Sequence, residues 1–373
     1  MRDDIASDIW SEILGGAPRL SVERAIPELR AARPVLLRDG AERRLVAAAE
    51  SADAALIAAL KDSTDDLGLV LAAPRLQALG RKVETAQRFS VTAATAEEIA
   101  RLVGATGPIP LPPGRPAMPL DQAATDLVKL SQQLPAALVA TPLADATPDN
   151  LFEVERDAVE VYRCDAASEL RIAARAPVPL EGGVAVEFVV FRGGDGLRDQ
   201  VAVLVGKPPK DQPTLLRLHS ACLTGDLFGS LKCDCGQQLR DAVATMMEDG
   251  GGILLYLDQE GRGTGLRSKM RAYHLQSEGY DTLESDAVLG YEADERSYAV
   301  AGRMLNLLEV KRVAMMTNNP DKIQALADCG IEVTGRKALL GRVNEHNRNY
   351  LTTKSERAGH LLEAGPLRGR PRF

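Results

Sequence analysis

Apolar residues recur with two different periods along this chain, and the two periods alternate. Helical spacing at 22–31, 52–61 and 121–133 alternates with short β-like runs at 34–38, 44–49 and 67–72. The alternation resumes beyond residue 165, where β-like runs occur at 215–219, 253–257 and 312–317. Elements of this kind bury one face each against a neighbouring layer. The sequence therefore predicts the α/β fold class, with mixed α+β sheets.

The chain is long enough for more than one domain. Its 373 residues exceed the usual size of one domain, and an apolar content of 45% supplies material for separate cores. Six prolines between residues 107 and 119 mark a loop or a rigid connection, and the pattern changes character near residue 165. We expect two domains, at 1–160 and 165–363, followed by a flexible basic tail at 364–373.

Charge and hydropathy restrict the partners and the compartment. The formal net charge is −7, whereas a dedicated nucleic-acid surface usually requires net basic charge or a basic stripe. No apolar stretch of about 18 residues is present to span a bilayer, and the charged N-terminus lacks the apolar core of a signal peptide. Five cysteines are too few for a disulfide framework, and Cys164 and Cys329 stand apart as ordinary thiols. We expect a cytoplasmic protein that binds neither nucleic acid nor membrane.

The other three cysteines lie within fourteen residues of one another. Cys222, Cys233 and Cys235 have the spacing C-x10-C-x-C, with small and polar neighbours. Three thiolates fill three positions of a tetrahedral Zn²⁺ and leave the fourth to water or a substrate atom. His219 is the one candidate for a fourth ligand, but in a strand it would face away from Cys222, so we interpret it as a pocket residue. The spacing therefore predicts a catalytic zinc site.

A glycine-rich segment follows the apolar run at 253–257. Glycines at alternate positions from 261 to 265 would let backbone N–H groups approach an anion ahead of the next helix. The spacing of these glycines is not that of a dinucleotide-binding loop, so the glycines alone are weak evidence for a functional loop. Glu260 and Arg262 favour a functional role, because a carboxylate and a guanidinium in one loop can bind a polar base or a phosphate.

Two further polar segments stand where helices are expected to begin. Asp294 precedes the helical pattern at 296–308 and would serve as an ordinary N-cap, unless the cleft lies there. The segment 317–322 joins a β-like run to a helix that opens at Pro320, and α/β sheets bind ligands beyond the carboxyl ends of their strands. Lys322 in the first turn opposes the helix dipole, and an anionic ligand would explain its presence.

Together these segments resemble a known family. The run from His219 to Gly236 reads H-S-A-C-L-T-G-D-L-F-G-S-L-K-C-D-C-G, and Q-E-G-R, R-A-Y, G-Y-D-T, D-E-R and T-N-N-P-D-K follow in order. This set is similar to the motifs of GTP cyclohydrolase II over about residues 165–363. The resemblance implies a zinc-dependent enzyme that converts GTP and water to formate, pyrophosphate and 2,5-diamino-6-(5-phospho-D-ribosylamino)pyrimidin-4(3H)-one. That reaction is the first step of riboflavin biosynthesis.

The resemblance also implies roles for individual residues. It implies one Zn²⁺ per chain, held by Cys222, Cys233 and Cys235, with Mg²⁺ on the GTP phosphates, and it suggests a homodimer. The positions that match the catalytic residues of the family are Tyr273, Asp294 and Arg296. The residues expected to line the GTP site are Arg217, Leu218, His219, Ser220, Ala221, Gln238, Glu260, Gly261, Arg262, Thr282, Thr317 and Lys322.

Some chemistry stays open at the level of the sequence. Ala221 stands where the family usually has glutamate or a similar polar residue, which removes one polar contact beside a zinc ligand. Family schemes make Arg296 a nucleophile at the α-phosphorus with Asp294 as its base. Arginine hardly deprotonates, so a transition-state clamp explains the same pair. The alternative functions are a related cyclohydrolase that retains the formyl group or acts in pyrimidine catabolism, and a zinc-binding scaffold without turnover.

The first part of the chain resembles a second family. Residues 25–79 are similar to 3,4-dihydroxy-2-butanone-4-phosphate synthase, which is often fused ahead of this cyclohydrolase. That family requires an acidic Arg-Glu-Asn-Glu-Gly-Asp loop for Mg²⁺ where this chain has Asp39-Gly-Ala-Glu-Arg-Arg-Leu45. It also requires histidines, and none precedes His219. We therefore expect residues 1–160 to be a catalytically inactive relative, kept for stability, dimerisation or regulation.

Overall fold

The computed structural model describes residues 17–143, 150–181, 184–193, 199–208 and 212–339, with shorter stretches between 341 and 357. The chain divides into two compact units. The first unit consists of the residues up to 162 together with 266–295, and the second consists of 163–265 and the residues from 296 onward. The expected basic tail at 364–373 lies outside the described residues.

Each unit contains one seven-stranded sheet. The strands are β1 (Val35–Asp39), β2 (Glu42–Ala48), β3 (Leu67–Leu71), β4 (Gln87–Ser90), β5 (Gly114–Pro116), β6 (Ala136–Ala140), β7 (Glu153–Glu155), β8 (Arg171–Leu180), β9 (Val184–Arg192), β10 (Gln200–Gly206), β11 (Thr214–Ser220), β12 (Gly251–Leu257), β13 (Arg312–Met316) and β14 (Glu332–Lys337). The first sheet has the order β5-β4-β3-β6-β2-β1-β7, and the second has the order β14-β13-β11-β12-β10-β9-β8.

Both sheets are mixed, which confirms the predicted fold class. In the first sheet, β1 pairs with β2 in antiparallel orientation and with β7 in parallel orientation. In the second sheet, β12, β11, β13 and β14 form a parallel half. The strands β8, β9 and β10 continue that sheet beyond β12 in antiparallel pairs.

Helices form at the three places where the first part of the sequence shows helical spacing, 22–31, 52–61 and 121–133, and at further places in both units. They are α1 (Ala17–Arg30), α2 (Ala54–Asp62), α3 (Ala73–Ala78), α4 (Ala96–Gly104), α5 (Pro119–Leu130), α6 (Arg156–Ser168), α7 (Leu223–Asp226), α8 (Cys235–Glu248), α9 (Gly265–Ser277), α10 (Thr282–Leu289), α11 (Ala299–Leu307) and α12 (Pro320–Asp328). No helix among the described residues combines the length and apolar character needed to cross a bilayer.

One predicted helix starts later than expected, which bears on the site. The helix expected at 296–308 begins at Ala299, with Tyr298 at its N-cap position. Asp294 therefore lies in the preceding loop and caps no helix, so the ordinary explanation for this aspartate does not apply. By contrast, α12 opens at Pro320 as predicted, and the Asn319 side chain accepts a hydrogen bond from the backbone N–H of Asp321.

The sheet of the second unit is covered by apolar residues on both faces. Successive residues of a strand point to opposite faces, and Leu215 and Leu216 of β11 accordingly belong to different clusters. The cluster around Leu216 contains Met304 of α11 and Leu326 of α12. The cluster around Leu215 contains Met246 of α8. This double coverage explains why the parallel strands read as continuous apolar runs in the sequence.

Candidate metal and nucleotide site

Three parallel strands of the second unit end side by side. Leu216 of β11 lies opposite Ile253 of β12 on one side and opposite Met315 of β13 on the other. The carboxyl ends of the three strands therefore lie at one edge of the sheet, where α/β proteins bind ligands. Most of the predicted site lies in β11 and in the segments that follow these strands, at 221–238, 258–265 and 317–322.

The three predicted zinc ligands converge in the segment after β11. Their sulfur atoms all lie within 4.8 Å of one another, and Cys222 Sγ is 3.7 Å from Cys233 Sγ. Zn–S bonds of about 2.3 Å at tetrahedral angles would separate two sulfurs by roughly 3.8 Å. The separation of Cys222 and Cys233 is therefore compatible with a shared zinc ion. No other group of three histidine, cysteine or acidic side chains in the described parts of the chain could hold a metal ion.

Two glycines provide the space in which the sulfurs meet. A Cβ atom on Gly225 would lie 2.8 Å from Cys233 Sγ and 3.0 Å from Cys222 Sγ. A Cβ atom on Gly236 would lie 2.1 Å from the carbonyl oxygen of Gly225. A larger residue at position 236 would force α8 away from α7, and one at position 225 would displace the sulfurs of Cys222 and Cys233. The two glycines thus keep open the space of the cysteine cluster.

The crowding of the three thiols disfavours their ionised forms. Hydrogen bonds with Cys222 and Cys233, followed by burial, raise the pKa of Cys235 well above its ordinary value. The pKa of Cys233 is also raised, chiefly by its hydrogen bond with Cys222. Metal ligation requires deprotonated sulfur, so a bound cation would have to offset the cost of bringing three thiolates together. The donor set therefore suits a thiophilic divalent ion.

Asp226, at the end of α7, ties the cysteine cluster to the sheet. Its Oδ2 accepts hydrogen bonds from the backbone N–H of Cys222 and from the Tyr256 hydroxyl, both at 2.9 Å. Both carboxylate oxygens lie 3.1 Å from His219 Nε2, and the His219 ring stacks on Tyr256 with centroids 5.5 Å apart. Neither Asp226 nor Tyr256 was predicted as a site residue. Asp226 lies inside the cysteine motif, but only the fold shows that it holds Cys222.

Three buried polar atoms of β11 remain available to a ligand. Arg217 Nε, His219 Nδ1 and Ser220 Oγ are buried and have no hydrogen-bond partner among the described residues. Burial lowers the pKa of His219 and outweighs the opposing effect of Asp226, so we treat this imidazole as neutral. The Arg217 guanidinium donates to Gln238 Oε1 at 2.6 Å and to the Met316 carbonyl at 3.0 Å. These contacts orient a buried cation toward the same strand edge.

Positive charge gathers around the ring of Tyr298. The Arg296 guanidinium carbon lies 5.7 Å from the ring centroid, and Lys322 Nζ lies 6.0 Å from it. Lys322 is buried in the first turn of α12 and donates to the Leu218 carbonyl at 3.0 Å. The pKa of Arg217 is lowered, mainly by burial and in part by the charge of Arg296. A cluster of three neighbouring cations is the arrangement that a polyphosphate requires.

The loop after β12 is held against the metal-binding segment. Glu260 Oε2 accepts a hydrogen bond of 2.7 Å from the backbone N–H of Leu223, the residue after Cys222. Gly261 and Arg262 both adopt left-handed backbone conformations, with φ of 64° and 62°. That conformation is uncommon for a non-glycine residue and often marks a functional loop. The structure therefore places Glu260 beside the residue that follows Cys222, with Gly261 and Arg262 next to it in the same loop.

Three other predicted residues contribute through their backbone or their hydroxyl group. The Leu218 side chain belongs to the apolar core, so only its backbone faces the site edge. The Ala221 N–H donates to the Leu257 carbonyl at 2.8 Å and joins the ends of β11 and β12. Thr317 Oγ1 accepts a hydrogen bond of 3.0 Å from the Asn319 N–H and shapes the turn before α12.

The remaining predicted residues lie in the first unit. Tyr273 lies on α9, where Lys269 Nζ is 5.6 Å from its ring centroid. Thr282 is the first residue of α10, which Asp281 caps. Asp294 lies in the loop between α10 and α11. All three belong to the segment 266–295, which packs with the N-terminal residues of the chain.

The chain matches proteins of one family. The family model for GTP cyclohydrolase II matches residues 170–338. A GTP cyclohydrolase-2 of Xylella fastidiosa (strain Temecula1) is 40% identical over 359 residues, which cover 95% of this chain and 90% of that protein. The GTP cyclohydrolase-2 of Azospirillum brasilense is 46% identical over 250 residues, or 65% of each chain.

Shorter relatives and a solved structure complete the comparison. The GTP cyclohydrolase-2 of Haemophilus influenzae (strain PittGG) is 43% identical over 196 residues, which cover 52% of this chain and 90% of that protein. A crystal structure of a two-domain 3,4-dihydroxy-2-butanone 4-phosphate synthase from A. baumannii covers 86% of this chain and 99% of that chain, at 17% identity and a TM-score of 0.34. The identity and coverage of the Xylella relative decide the assignment. The chain belongs to the GTP cyclohydrolase II family of enzymes.

Proposed function

We propose that this chain hydrolyses GTP to 2,5-diamino-6-(5-phospho-D-ribosylamino)pyrimidin-4(3H)-one, formate and pyrophosphate, as the first step of riboflavin biosynthesis. The observation that carries the proposal is the cysteine cluster at the sheet edge where Arg217, Arg296 and Lys322 gather positive charge. A metal-activated water suits attack on the purine ring, and the cations suit the triphosphate. The names of the relatives support the same substrate.

We propose one Zn²⁺ per chain, held by Cys222, Cys233 and Cys235. The support is the 3.7 Å separation of two of the sulfurs and the space that Gly225 leaves between them. A zinc ion there would supply a Lewis acid that lowers the pKa of water toward neutrality. The Asp226 carboxylate accepts a hydrogen bond from the backbone N–H of Cys222, and the Glu260 carboxylate accepts one from the next residue, Leu223. Hydrogen bonds around a metal ligand typically hold that ligand in place.

We propose that GTP binds along β11 and the segments next to it. The unpartnered polar atoms of Arg217, His219 and Ser220 would receive the nucleotide, with the backbone of Leu218 and Ala221 beside them. The other residues proposed to bind GTP are Gln238, Glu260, Gly261, Arg262, Thr282, Thr317 and Lys322. GTP would enter as its Mg²⁺ complex, because Mg²⁺ binds chiefly to phosphate oxygens and keeps several of its waters.

The catalytic roles are also proposals. Tyr273 would relay a proton while the imidazole ring of guanine opens. Arg296 would stabilise the charge that develops as the bond between the α and β phosphates breaks, with Asp294 orienting it. We prefer this clamp to a nucleophilic guanidine, because arginine stays protonated in proteins. The homodimer that the family resemblance suggests and the cytoplasmic location that the sequence suggests stay predictions.

The proposed products give a direct test. Purified protein incubated with Mg²⁺ and GTP is expected to release formate and pyrophosphate in equal amounts, because both bonds break in each turnover. Formate is measured enzymatically, pyrophosphate by a coupled phosphate assay, and the pyrimidine by mass spectrometry. Pyrophosphate without formate would indicate a related cyclohydrolase that retains the formyl group. Zinc-loaded protein that releases neither product would support the scaffold function instead.

We also propose that residues 1–160 have no synthase activity of their own. In the loop that would hold Mg²⁺, Asp39 pairs with Arg156 at 2.7 Å and Glu42 lies 3.6 Å from Arg44, so these carboxylates are already engaged. The full chain is therefore expected to form no 3,4-dihydroxy-2-butanone 4-phosphate from ribulose 5-phosphate with Mg²⁺. Mass spectrometry of the reaction checks this, and steady formation of the butanone phosphate would refute it.

A further inference from the structure

The segment 266–295 lies within the matched family region but packs with the N-terminal residues of the chain. This segment carries Tyr273, Thr282 and Asp294, which the proposed function places in the catalytic and GTP-binding set. The first unit therefore has two parts. One is an N-terminal region that we propose to be inactive, and the other is a segment that carries proposed catalytic residues. The contacts between them show what the N-terminal region does for that segment.

The middle of the segment is fixed by buried hydrogen bonds. The Arg75 guanidinium is buried and donates to the carbonyl oxygens of Val288, Leu102 and Val103, so it joins α10 to the end of α4. Burial lowers the pKa of Arg75 to about 10, which leaves it charged at neutral pH. The Tyr291 hydroxyl donates to the Gln133 carbonyl at 2.9 Å, and its ring belongs to the core of the first unit.

The start of the segment is held by a buried carboxylate. Glu50, which is 6% exposed, lies 2.7 Å from Arg267 Nη1 and 2.8 Å from Arg271 Nη1. It also accepts a hydrogen bond of 2.7 Å from the backbone N–H of Leu134. Both arginines lie on α9, the helix that carries Tyr273. A single N-terminal carboxylate therefore holds the helix of a proposed catalytic residue.

The end of the segment is held by an ion pair beside Asp294. Lys129 Nζ, from the last turn of α5, lies 2.9 Å from Glu295 Oε1, and the two side chains are 16% and 11% exposed. The same Glu295 oxygen accepts a hydrogen bond of 3.0 Å from the Glu292 N–H and closes the turn 292–295. Glu295 stands between Asp294 and Arg296 in the sequence. Lys129 is thus the N-terminal charge that fixes the loop carrying Asp294.

We propose that Lys129 is a positioning residue for the proposed GTP cyclohydrolase reaction, and that the N-terminal region serves as the platform on which segment 266–295 is held. The inference rests on the proposed function, because only catalysis makes the position of Asp294 matter. Lys129 would touch neither GTP nor zinc and would act through Glu295.

The effect of losing the pair follows from the tolerance of catalytic geometry. A substitution far from the reacting atoms that displaces a catalytic group by about 1 Å can lower a rate by on the order of 100-fold. We expect Lys129→Met in the full-length, zinc-loaded protein to lower kcat for formate release by about 10-fold or more. KM for GTP and the zinc content should change little, since Lys129 is not part of either site. Lys129→Arg should retain most of the wild-type kcat.

The charge-swapped double variant separates positioning from a general effect on folding. Lys129→Glu combined with Glu295→Lys restores an ion pair and should recover much of the kcat that Lys129→Met loses. Arg38→Met is the matched control, because Arg38 pairs with Glu155 inside the same unit and has no contact with segment 266–295 among the described residues. That control should lower the urea midpoint as Lys129→Met does, while its kcat stays at the wild-type value.

The outcomes separate this inference from the proposed function. A wild-type protein that binds zinc but releases no formate would overturn the proposed function, and the inference with it. A wild-type protein with normal turnover and a Lys129→Met variant with unchanged kcat would overturn the inference alone. A kcat loss that matches the fraction of unfolded protein, or that Arg38→Met shares, would reduce Lys129 to a structural role and contradict positioning.

Discussion

Replacing Cys222 with serine is expected to abolish formate release from GTP while the protein stays folded. The loss of activity should exceed about 100-fold. Removing a group that only hydrogen-bonds to a metal ligand already lowers metal affinity or activity by about 10- to 100-fold. The cores of the second unit contain other residues, such as Leu216 and Met246, so a serine of similar size leaves them intact. Formate release, bound zinc by mass spectrometry and the thermal unfolding midpoint are the three measurements.

The control for this substitution is Cys164→Ser. Cys164 is an exposed thiol on α6 and is not part of the sulfur cluster, so this variant should keep its zinc and its turnover. Global unfolding of the Cys222→Ser protein would favour a structural metal. Full turnover in the Cys222→Ser protein would mean that the cysteine cluster takes no part in the reaction.

Replacing Gly225 with alanine is expected to weaken zinc binding by at least about 10-fold, with a matching loss of turnover at limiting zinc. The added Cβ atom would lie 2.8 Å from Cys233 Sγ and 3.0 Å from Cys222 Sγ, closer than real Cβ contacts allow. Overpacking of this kind costs about 1–3 kcal/mol. The short segments that carry the two sulfurs can move more easily than the sheet behind them. We therefore expect the affinity for zinc to fall while the protein stays folded.

The matched control for this second substitution is Gly335→Ala. A Cβ atom on Gly335 meets no atom within 4 Å, and the residue is exposed on β14. This variant should bind zinc with wild-type affinity, measured by competition with a chromophoric chelator. If Gly225→Ala binds zinc as tightly as Gly335→Ala does, the sulfur arrangement described for the second unit is wrong.

The sequence predicts much of this fold because its elements are locally encoded. The apolar runs at 215–219, 253–257 and 312–317 became β11, β12 and β13, since buried parallel strands need continuous apolar side chains. Pro320 marks the start of α12 because proline fits the first helical position. The expected N-cap role of Asp294 fails because residues 294–298 are not helical and α11 begins only at Ala299.

A local sequence pattern does not predict which distant segments pack together. Nothing in the spacing of residues 266–295 indicates that they pack with the N-terminal unit, because the contacts of Arg75 and Glu50 span more than 200 positions of the sequence. The roles of Asp226 and Tyr256 are hidden for the same reason. Each is an ordinary polar residue until the fold places it beside Cys222.

Residue chemistry predicts the centre of the site better than its surroundings. The sulfur cluster follows from cysteine spacing, and the structure brings the three sulfurs together. Lys322 is buried at the start of α12, where its charge opposes the helix dipole, and the anionic ligand that would explain it stays a prediction. Leu218 is the partial exception, since its side chain faces the core and leaves its carbonyl to bind Lys322.

Return of zinc to metal-free protein tests the central claim most directly. Wild-type protein is stripped with a chelator, zinc is added back in steps, and the initial rate of formate release from GTP is recorded at each step. We predict no turnover without zinc, and a rate that rises linearly and levels off at one equivalent per chain. Undiminished formate release from the stripped protein would contradict a catalytic zinc ion at the three cysteines.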